Sequence, residues 1–455
     1  MTINRTSGTF TVILLLHSFC FAQIGLWSSA EELADKPMTG LPWDALKAGA
    51  DAAVAADATV SDQDSNNNAQ ILAAAIVYAR TGVESYRTKV IDACQRLVNA
   101  GKPDDRTLAW ARETGAYALA ADLVGYRTTA FETWLRNMAE VYVATDDRTL
   151  LYMFNLRPNN WGTQGFGSLC AIYGYLQDTT RLVEVRDYWI QSVTGPKPET
   201  LDYGGPDEDF SWHLDPNDPR LINPKGAVKQ GLNIDGIMPD DMRRGASFSN
   251  PPVHTGYAWE ALQGIVSGAR ILQRIGMPIW EVADSAIYRA CYTLQVRWEN
   301  QFGDWKADGD DLWMLAILDD AYGTNWSASQ PERLWQHGKN VGWPYVVWDG
   351  TPVSGNVRYN QVPERYELRQ NFPNPFNPST HIRLSLPHRA EVHLAVYDLL
   401  GKEVATLLNG VHGAGVYTVE WSSDTSIPGK LTSGVYLCRL ESGTFSRTIK
   451  MTMLR

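Results

Sequence analysis

The densest set of chemically useful side chains lies between Gly231 and Leu262, in GLNIDGIMPDDMRRGASFSNPPVHTGYAWEAL. Asp235, Asp240, Asp241, Arg243, Arg244 and His254 sit there on Gly- and Pro-rich backbone, and an apolar helix is expected to begin near Tyr257. Binding and catalytic groups concentrate on irregular segments held by a rigid element. Arg243 and Arg244 suit a carboxylate, because a guanidinium offers a planar, two-pronged set of donors. Tyr257, directly after Gly256, is the best-placed proton-transfer group. A tyrosine acts as a base only where nearby cations favour its ionised form, and the two arginines are the nearest in sequence. The plainer alternatives are that Tyr257 packs between helices and that the arginines pair with Asp240 and Asp241. A different chemistry is also open: two carboxylates from among Asp240, Asp241, Glu260, Asp310 and Asp311 could be the acid and base of a glycoside hydrolase.

Candidates elsewhere are fewer. Between Gln23 and Glu364 the histidines are His213, His254 and His337. Each could transfer protons or serve as an ordinary loop, capping or packing residue. Trp161 and Trp212 could stack on sugars or fill the core. Lys225, Lys229 and Lys339 could complete a basic groove.

The chain has 455 residues, which suggests two modules, and its apolar fraction of 44% is that of a globular protein. Its 17 Trp and 20 Tyr are many for this length, as in carbohydrate-active proteins, although most such rings are core. Arg5, the apolar run Val12–Leu16 and Cys20-Phe21-Ala22 read as a secretory signal over residues 1–22, cut before Gln23. His17-Ser18-Phe19 is a poor lipoprotein signal. No later segment reaches transmembrane length. Cys94, Cys170, Cys291 and Cys438 show no CxxC or zinc spacing. The first three fall in helical runs and are expected to be packing residues, although export would permit a disulfide. Net charge is −11, with −15 on Gln23–Glu364 (29 Lys+Arg, 44 Asp+Glu) and +3 on Arg365–Arg455 (10 and 7). An acidic body argues against non-specific nucleic-acid binding and requires a local basic site for any anionic substrate.

Apolar residues at three- and four-residue spacing predict helices at Trp43–Asp57, Asn68–Arg80, Glu84–Asn99, Thr107–Val124, Ala130–Val143, Phe166–Leu176, Thr180–Val193, Tyr257–Ile275, Ile279–Trp298 and Asp311–Tyr322. Serial helices with short links suggest stacked hairpins. The expected fold is mainly α, an α/α toroid or incomplete barrel. Gly195–Thr255 is the exception, and its DPNDPRLINPKG segment cannot be regular helix. After Asp349 alternating apolar runs at His381–Leu386, Glu391–Tyr397, Val416–Trp421 and Gly434–Leu440 predict a small antiparallel β-sandwich. The expected organisation is a signal over 1–22, a helical catalytic module over 23–349, a linker over 350–365 and the sandwich over 366–455.

In the tail, NFPNPFNPST, YDLLGKEVATLLNG, GVYTVEW, LTSGVYLCRLESG and a basic last strand occur in order. They resemble the type A sorting domain of the type IX secretion system. The resemblance implies passage through the periplasm to the cell surface or beyond, with that secretion machinery as a partner. A generic carbohydrate-binding domain is the alternative, and it leaves the NPFNPST opening without a reason.

The large module resembles the alginate-lyase family of α/α-toroid polysaccharide lyases over roughly Leu108–Trp343. The carrying motifs are RETGAYALAADLVGY, NNWGTQG, IDGIMPDDMRR, GYAWEALQGIV and GKNVGW. The implied reaction is β-elimination on a uronic-acid polymer, without metal or organic cofactor. Such an enzyme must neutralise the uronate carboxylate, remove the C5 proton and protonate the leaving O4. The resemblance makes Asn160 the neutraliser, unless it is a helix cap, and matches Arg243 and Arg244 to a substrate-binding region. The family carries Asn-His where this chain has Asn160-Trp161. The missing base then falls to His213 on the long loop, or to His254, which aligns with a family tyrosine. The lost histidine also leaves open a non-catalytic, surface glycan-binding protein.

Overall fold

The computed structural model describes residues 24–329, 338, 340–348, 366–371, 374–386, 390–412, 415–422 and 431–454. The expected signal, the linker, His337 and Lys339 lie outside the described residues. Helices α1 (Ala30–Ala34), α2 (Leu41–Ala52), α3 (Asn67–Thr81), α4 (Glu84–Ala100), α5 (Thr107–Leu123), α6 (Thr129–Glu140), α7 (Leu150–Leu156), α8 (Asn160–Leu176) and α9 (Thr179–Thr194) build the first part of the body. After a long loop come α10 (Pro239–Met242), α11 (Tyr257–Arg274), α12 (Val282–Tyr292), α13 (Glu299–Phe302) and α14 (Trp313–Tyr322).

Two kinds of helix alternate. Every residue of α5 is buried, as is all of α8 except Trp161 and Leu176. Such helices lie inside the body and need no polar face. By contrast α6 turns Phe131, Trp134, Leu135 and Met138 inward, the three- and four-residue spacing of an outer helix.

The inner helices α8 and α11 run parallel. Asn160 meets Glu260, Thr163 backs onto Gly264 and Gly167 backs onto Ser267, so positions advance together along both helices. Helix α5 joins α8 in the same sense, with Ser168 Oγ donating to the Ala111 carbonyl at 2.6 Å and accepting from Gly115 N–H at 3.0 Å. The N-termini of all three therefore open at one end. The other end is covered by the chain's first described residues. Asp122, near the C-terminus of α5, accepts the N–H groups of Ile24, Gly25 and Leu26 at 2.8, 2.9 and 2.9 Å. Arg270 of α11 donates to the Trp27 carbonyl at 3.1 Å.

Helix α8 begins six residues before the expected Phe166. The Asn159 side chain caps it, accepting Trp161 N–H at 3.1 Å, so Asn160 is not the capping residue. The single helix expected over Ile279–Trp298 is instead α12 followed by a π-helical turn, Thr293–Trp298. Thr293 Oγ1 donates to the Asp235 carbonyl at 2.6 Å, and Arg297 reaches the same carbonyl at 3.2 Å. Both tie the widened turn to the long loop. That loop carries the short hairpin β1 (Val228–Lys229) and β2 (Leu232–Asn233).

Strands β3 (Glu367–Leu368), β4 (Ser379–Leu386) and β7 (Gly415–Ser422) form one antiparallel sheet of the tail. Strands β6 (Glu403–His412), β5 (Ala390–Tyr397), β8 (Gly434–Ser442) and β9 (Phe445–Met453) form the other. Ile382, Leu384 and Trp421 from the first meet Val392, Leu394, Cys438 and Met451 from the second in one core, separate from that of the body. Cys94, Cys170, Cys291 and Cys438 are all buried and free, so the disulfide that export would permit is not formed among them.

Candidate active site

Four helices bring their residues together at the end where the inner N-termini open. Asn160 is the first residue of α8, Arg112 lies in the second turn of α5, and Tyr257 and Glu260 start α11. Arg244 follows α10 by two residues. The Asn160 carboxamide donates through Nδ2 to Glu260 Oε2 at 2.6 Å, and its Oδ1 accepts from Arg244 Nη1. These two partners set the orientation of the amide, carbonyl toward the cation and nitrogen toward the anion. Arg112 Nη2 donates to the same Glu260 oxygen at 2.8 Å. The Arg244 guanidinium lies 3.7 Å from the centre of the Tyr257 ring, a close cation–π contact.

The backbone beneath is equally tied. Asp241 is fully buried, and its Oδ1 accepts the Asn160 N–H at 2.8 Å. Its other oxygen has no partner, and burial pushes its carboxyl well above the usual carboxylate range. Asp241 and Arg244, one helical turn apart, thus hold the main chain and the side chain of Asn160. Gln164 Nε2 donates to the Glu260 carbonyl at 2.8 Å, and Asn340 Nδ2 donates to Gln164 Oε1 at 3.2 Å. Farther along α11, Gln263 donates to Asp311 at 2.7 Å, and burial raises the Asp311 carboxyl well above its ordinary value.

Among the described residues, the other expected site residues make no side-chain hydrogen bond or ion pair to this cluster. His213 is 1% exposed, with Nε2 on Asp240 at 3.2 Å and its ring against Tyr203 and Phe210. It cannot reach a substrate from there, because the long loop folds it inward as a pin. His254 is exposed and rests edge-on against Trp305 at 5.2 Å. Trp212 is 1% exposed, bonded to the Ala246 carbonyl and packed on Phe248 and Trp298, so it is core and not a sugar platform. Trp161 is half-buried beneath the Arg106 guanidinium.

Arg243 pairs with buried Asp240 at 2.9 Å and is itself nearly buried. Lys225 faces Asp284 at the surface, and Lys229 donates to the His213 carbonyl at 2.7 Å. Neither lysine joins the Asn160 cluster, and arginines supply its positive charge. Asp240 and Asp241 are too buried to touch a sugar, which leaves Glu260, Asp310 and Asp311 for any carboxylate chemistry. Among the described residues, no group of three or more His, Cys, Asp and Glu side chains could hold a metal ion.

Arg112, Gln164 and Asn340 were not singled out from the sequence. Arg112 left a signal: with Glu113, it interrupts an otherwise apolar helix that has no polar face to put them on.

A family model described as a secretion system C-terminal sorting domain matches residues 370–453. The tail is therefore a sorting domain of the type IX system, which implies interaction with that machinery and export to the cell surface or the extracellular space. The helical body lies outside the match, and no curated protein matches the chain.

Proposed function

We propose that the helical body is a polysaccharide lyase that cleaves a uronic-acid-containing polysaccharide by β-elimination, and that its helical hairpins close into an α/α toroid around the cleft. The observation that carries the reading is the meeting of Asn160, Arg244, Tyr257, Glu260 and Arg112 at one end of the inner helices. An amide nitrogen has two hydrogens. Glu260 takes one from Asn160, which is itself 1% exposed, so the half-buried Arg244 that Asn160 anchors meets the uronate carboxylate, with the amide behind it. The helix N-termini add partial positive charge at the same end. Neutralising the carboxylate lets the C5–H bond break with its electrons moving into a C4–C5 double bond as the C4–O4 bond breaks. Tyr257 is the proton-transfer group at C5 and O4. His254, three residues upstream and open to solvent, is the histidine available to share that task.

The lyase reading is tested by incubating the protein with alginate, glucuronan and glycosaminoglycans and recording the ultraviolet band of a 4,5-unsaturated uronate. The band is expected for wild type and not for Tyr257→Phe. The second reading is a glycoside hydrolase. It is favoured by the raised carboxyl of Asp311, which lies close enough to Glu260 to feel its charge, since a carboxyl that keeps its proton can serve as a general acid. Reducing ends released without ultraviolet absorption would establish hydrolysis, and polymer bound but never cut would establish a binding protein.

A further inference from the structure

The sorting tail displays two leucines that its own fold does not use. Strands β5 and β6 are joined through Asp398, Leu399, Leu400, Gly401 and Lys402. Asp398 and Gly401 specify this turn. The Gly401 N–H donates to the Asp398 carbonyl at 3.0 Å, and the Asp398 N–H donates to the Lys402 carbonyl at 2.9 Å. Asp398 Oδ1 accepts the N–H groups of Leu400 and Lys402, each at 2.9 Å. Gly401 takes a φ of +81°, the left-handed region that favours glycine. At the foot of the hairpin the Arg439 guanidinium lies 4.5 Å from the centre of the Tyr397 ring. The backbone is thus held without help from either leucine side chain. Turns ordinarily carry Asn, Asp, Ser, Gly or Pro at such positions, yet here stand Leu399, 68% exposed, and Leu400, 95% exposed. Val404, farther down β6, is buried in the tail's core, so that core stops short of the tip. The body does not cover the tip either, because both exposures are those of the whole chain.

A single exposed apolar residue is ordinary. An adjacent pair on a turn fixed by four hydrogen bonds is different: it is preorganised for burial by a partner, with little freedom left to lose on binding. The tip lies inside the sorting domain, whose partner is the type IX machinery. We propose that the Leu399-Leu400 tip is a contact by which that machinery recognises the tail, the two side chains entering an apolar socket on one of its proteins. The inference concerns delivery and is independent of the chemistry proposed for the body. A second copy of the chain and a lipid surface are the competing occupants, and the test separates them.

The test uses the full chain expressed in cells that carry a type IX system. The double variant Leu399→Ser, Leu400→Asn removes the apolar surface and installs residues that turns favour. The double variant Leu399→Met, Leu400→Met keeps the tip apolar. Pulse-labelling and fractionation give the rate at which each chain reaches the surface or the medium, and calorimetry of the purified chains gives their thermal midpoints. The polar pair is expected to lower that rate at least about tenfold, the scale set by two leucines that lose their burial. Its midpoints should match those of wild type, with the protein held in the periplasm. The methionine pair should recover most of the wild-type rate. Leu400→p-benzoylphenylalanine, irradiated in the same cells, reads the contact directly and decides the matter if the polar pair unfolds early: it is expected to crosslink to a protein of the machinery. Export of the polar pair at the wild-type rate overturns the proposal, and so do equal losses for the two pairs, which would make the shape of the turn the requirement. Crosslinks that join only copies of the chain, or purified wild type that dimerises where the polar pair does not, would assign the tip to a second copy. Wild type that floats with phosphatidylethanolamine–phosphatidylglycerol vesicles, where the polar pair does not, would assign it to lipid. Either assignment overturns the proposal.

Discussion

The Glu260 carboxylate holds the Asn160 carboxamide at 2.6 Å and, through the same oxygen, Arg112 at 2.8 Å. Glu260 thereby keeps the amide turned so that its carbonyl faces Arg244. Glu260→Gln substitutes a neutral group that can present an N–H where two donors already point. We expect kcat on the uronate polymer to fall about 10- to 100-fold, as for loss of a hydrogen bond to a charged group worth about 1.5–3 kcal/mol. KM should change less. Initial rates by ultraviolet absorption measure both, and an unchanged kcat would remove Glu260 from the site.

Tyr257 separates chemistry from packing. Its ring lies under Arg244, so Tyr257→Phe keeps the cation–π contact and deletes only the hydroxyl. Turnover is expected to drop by about 10²–10⁴, the range for a general acid or base, with the thermal midpoint nearly unchanged. Should Tyr257→Phe cut at the wild-type rate, proton transfer does not run through this hydroxyl, and His254→Ala becomes the variant that must abolish it.

The close approach of α8 and α11 depends on Gly264. A Cβ there would overlap the Thr163 carbonyl, which is backbone and cannot rotate away. Gly264→Ala should therefore destabilise the body by at least about 1–3 kcal/mol, the usual cost of overpacking, although alanine is the better helix former. Urea unfolding monitored by tryptophan fluorescence reads the change. Because Glu260 is one turn away, kcat should fall too.

The tail has its own core and supplies no residue to the Asn160 cluster. Removing residues 366–455 is expected to stop passage across the outer membrane while the purified body keeps its kcat. Fractionation of expressing cells, with activity measured in each fraction, checks both halves of the statement.

The helical body and the sandwich were legible because burial writes itself into spacing. Phe131, Trp134, Leu135 and Met138 announce an outer helix by period, and alternation along β4 and β5 announces strands. Tyr257 and Arg244 were legible because their loop concentrates charge. Asn160 was found through a motif, and its helix start was misjudged because the cap, Asn159, lies in a polar run with no apolar period. His213 and Trp212 misled for one reason: a long Gly- and Pro-rich loop looks exposed, yet this one folds back and buries both. Arg112 stayed hidden because its partner Glu260 is 148 residues away, and sequence spacing carries no trace of such a pairing.

Glu113, beside Arg112 on α5, gives the pH dependence. It is 1% exposed, and neither carboxyl oxygen makes a full hydrogen bond; the nearby Asp62 backbone N–H offsets only part of the burial. Burial, then nearby Asp62, raises its carboxyl well above the ordinary 4.5. Above that value the unfolded chain gives up the proton and the folded chain keeps it, so rising pH favours unfolding. The stability from this group is full below the unfolded pKa and is lost as pH climbs toward the folded one, at about 1.4 kcal/mol per pH unit. Glu113→Gln removes the titration and leaves a similar shape. Urea midpoints of both proteins from pH 5 to pH 8 should therefore diverge, with the variant gaining on wild type as pH rises. Parallel curves across that range would mean that Glu113 is already ionised in the folded protein, with a cation or water meeting its charge.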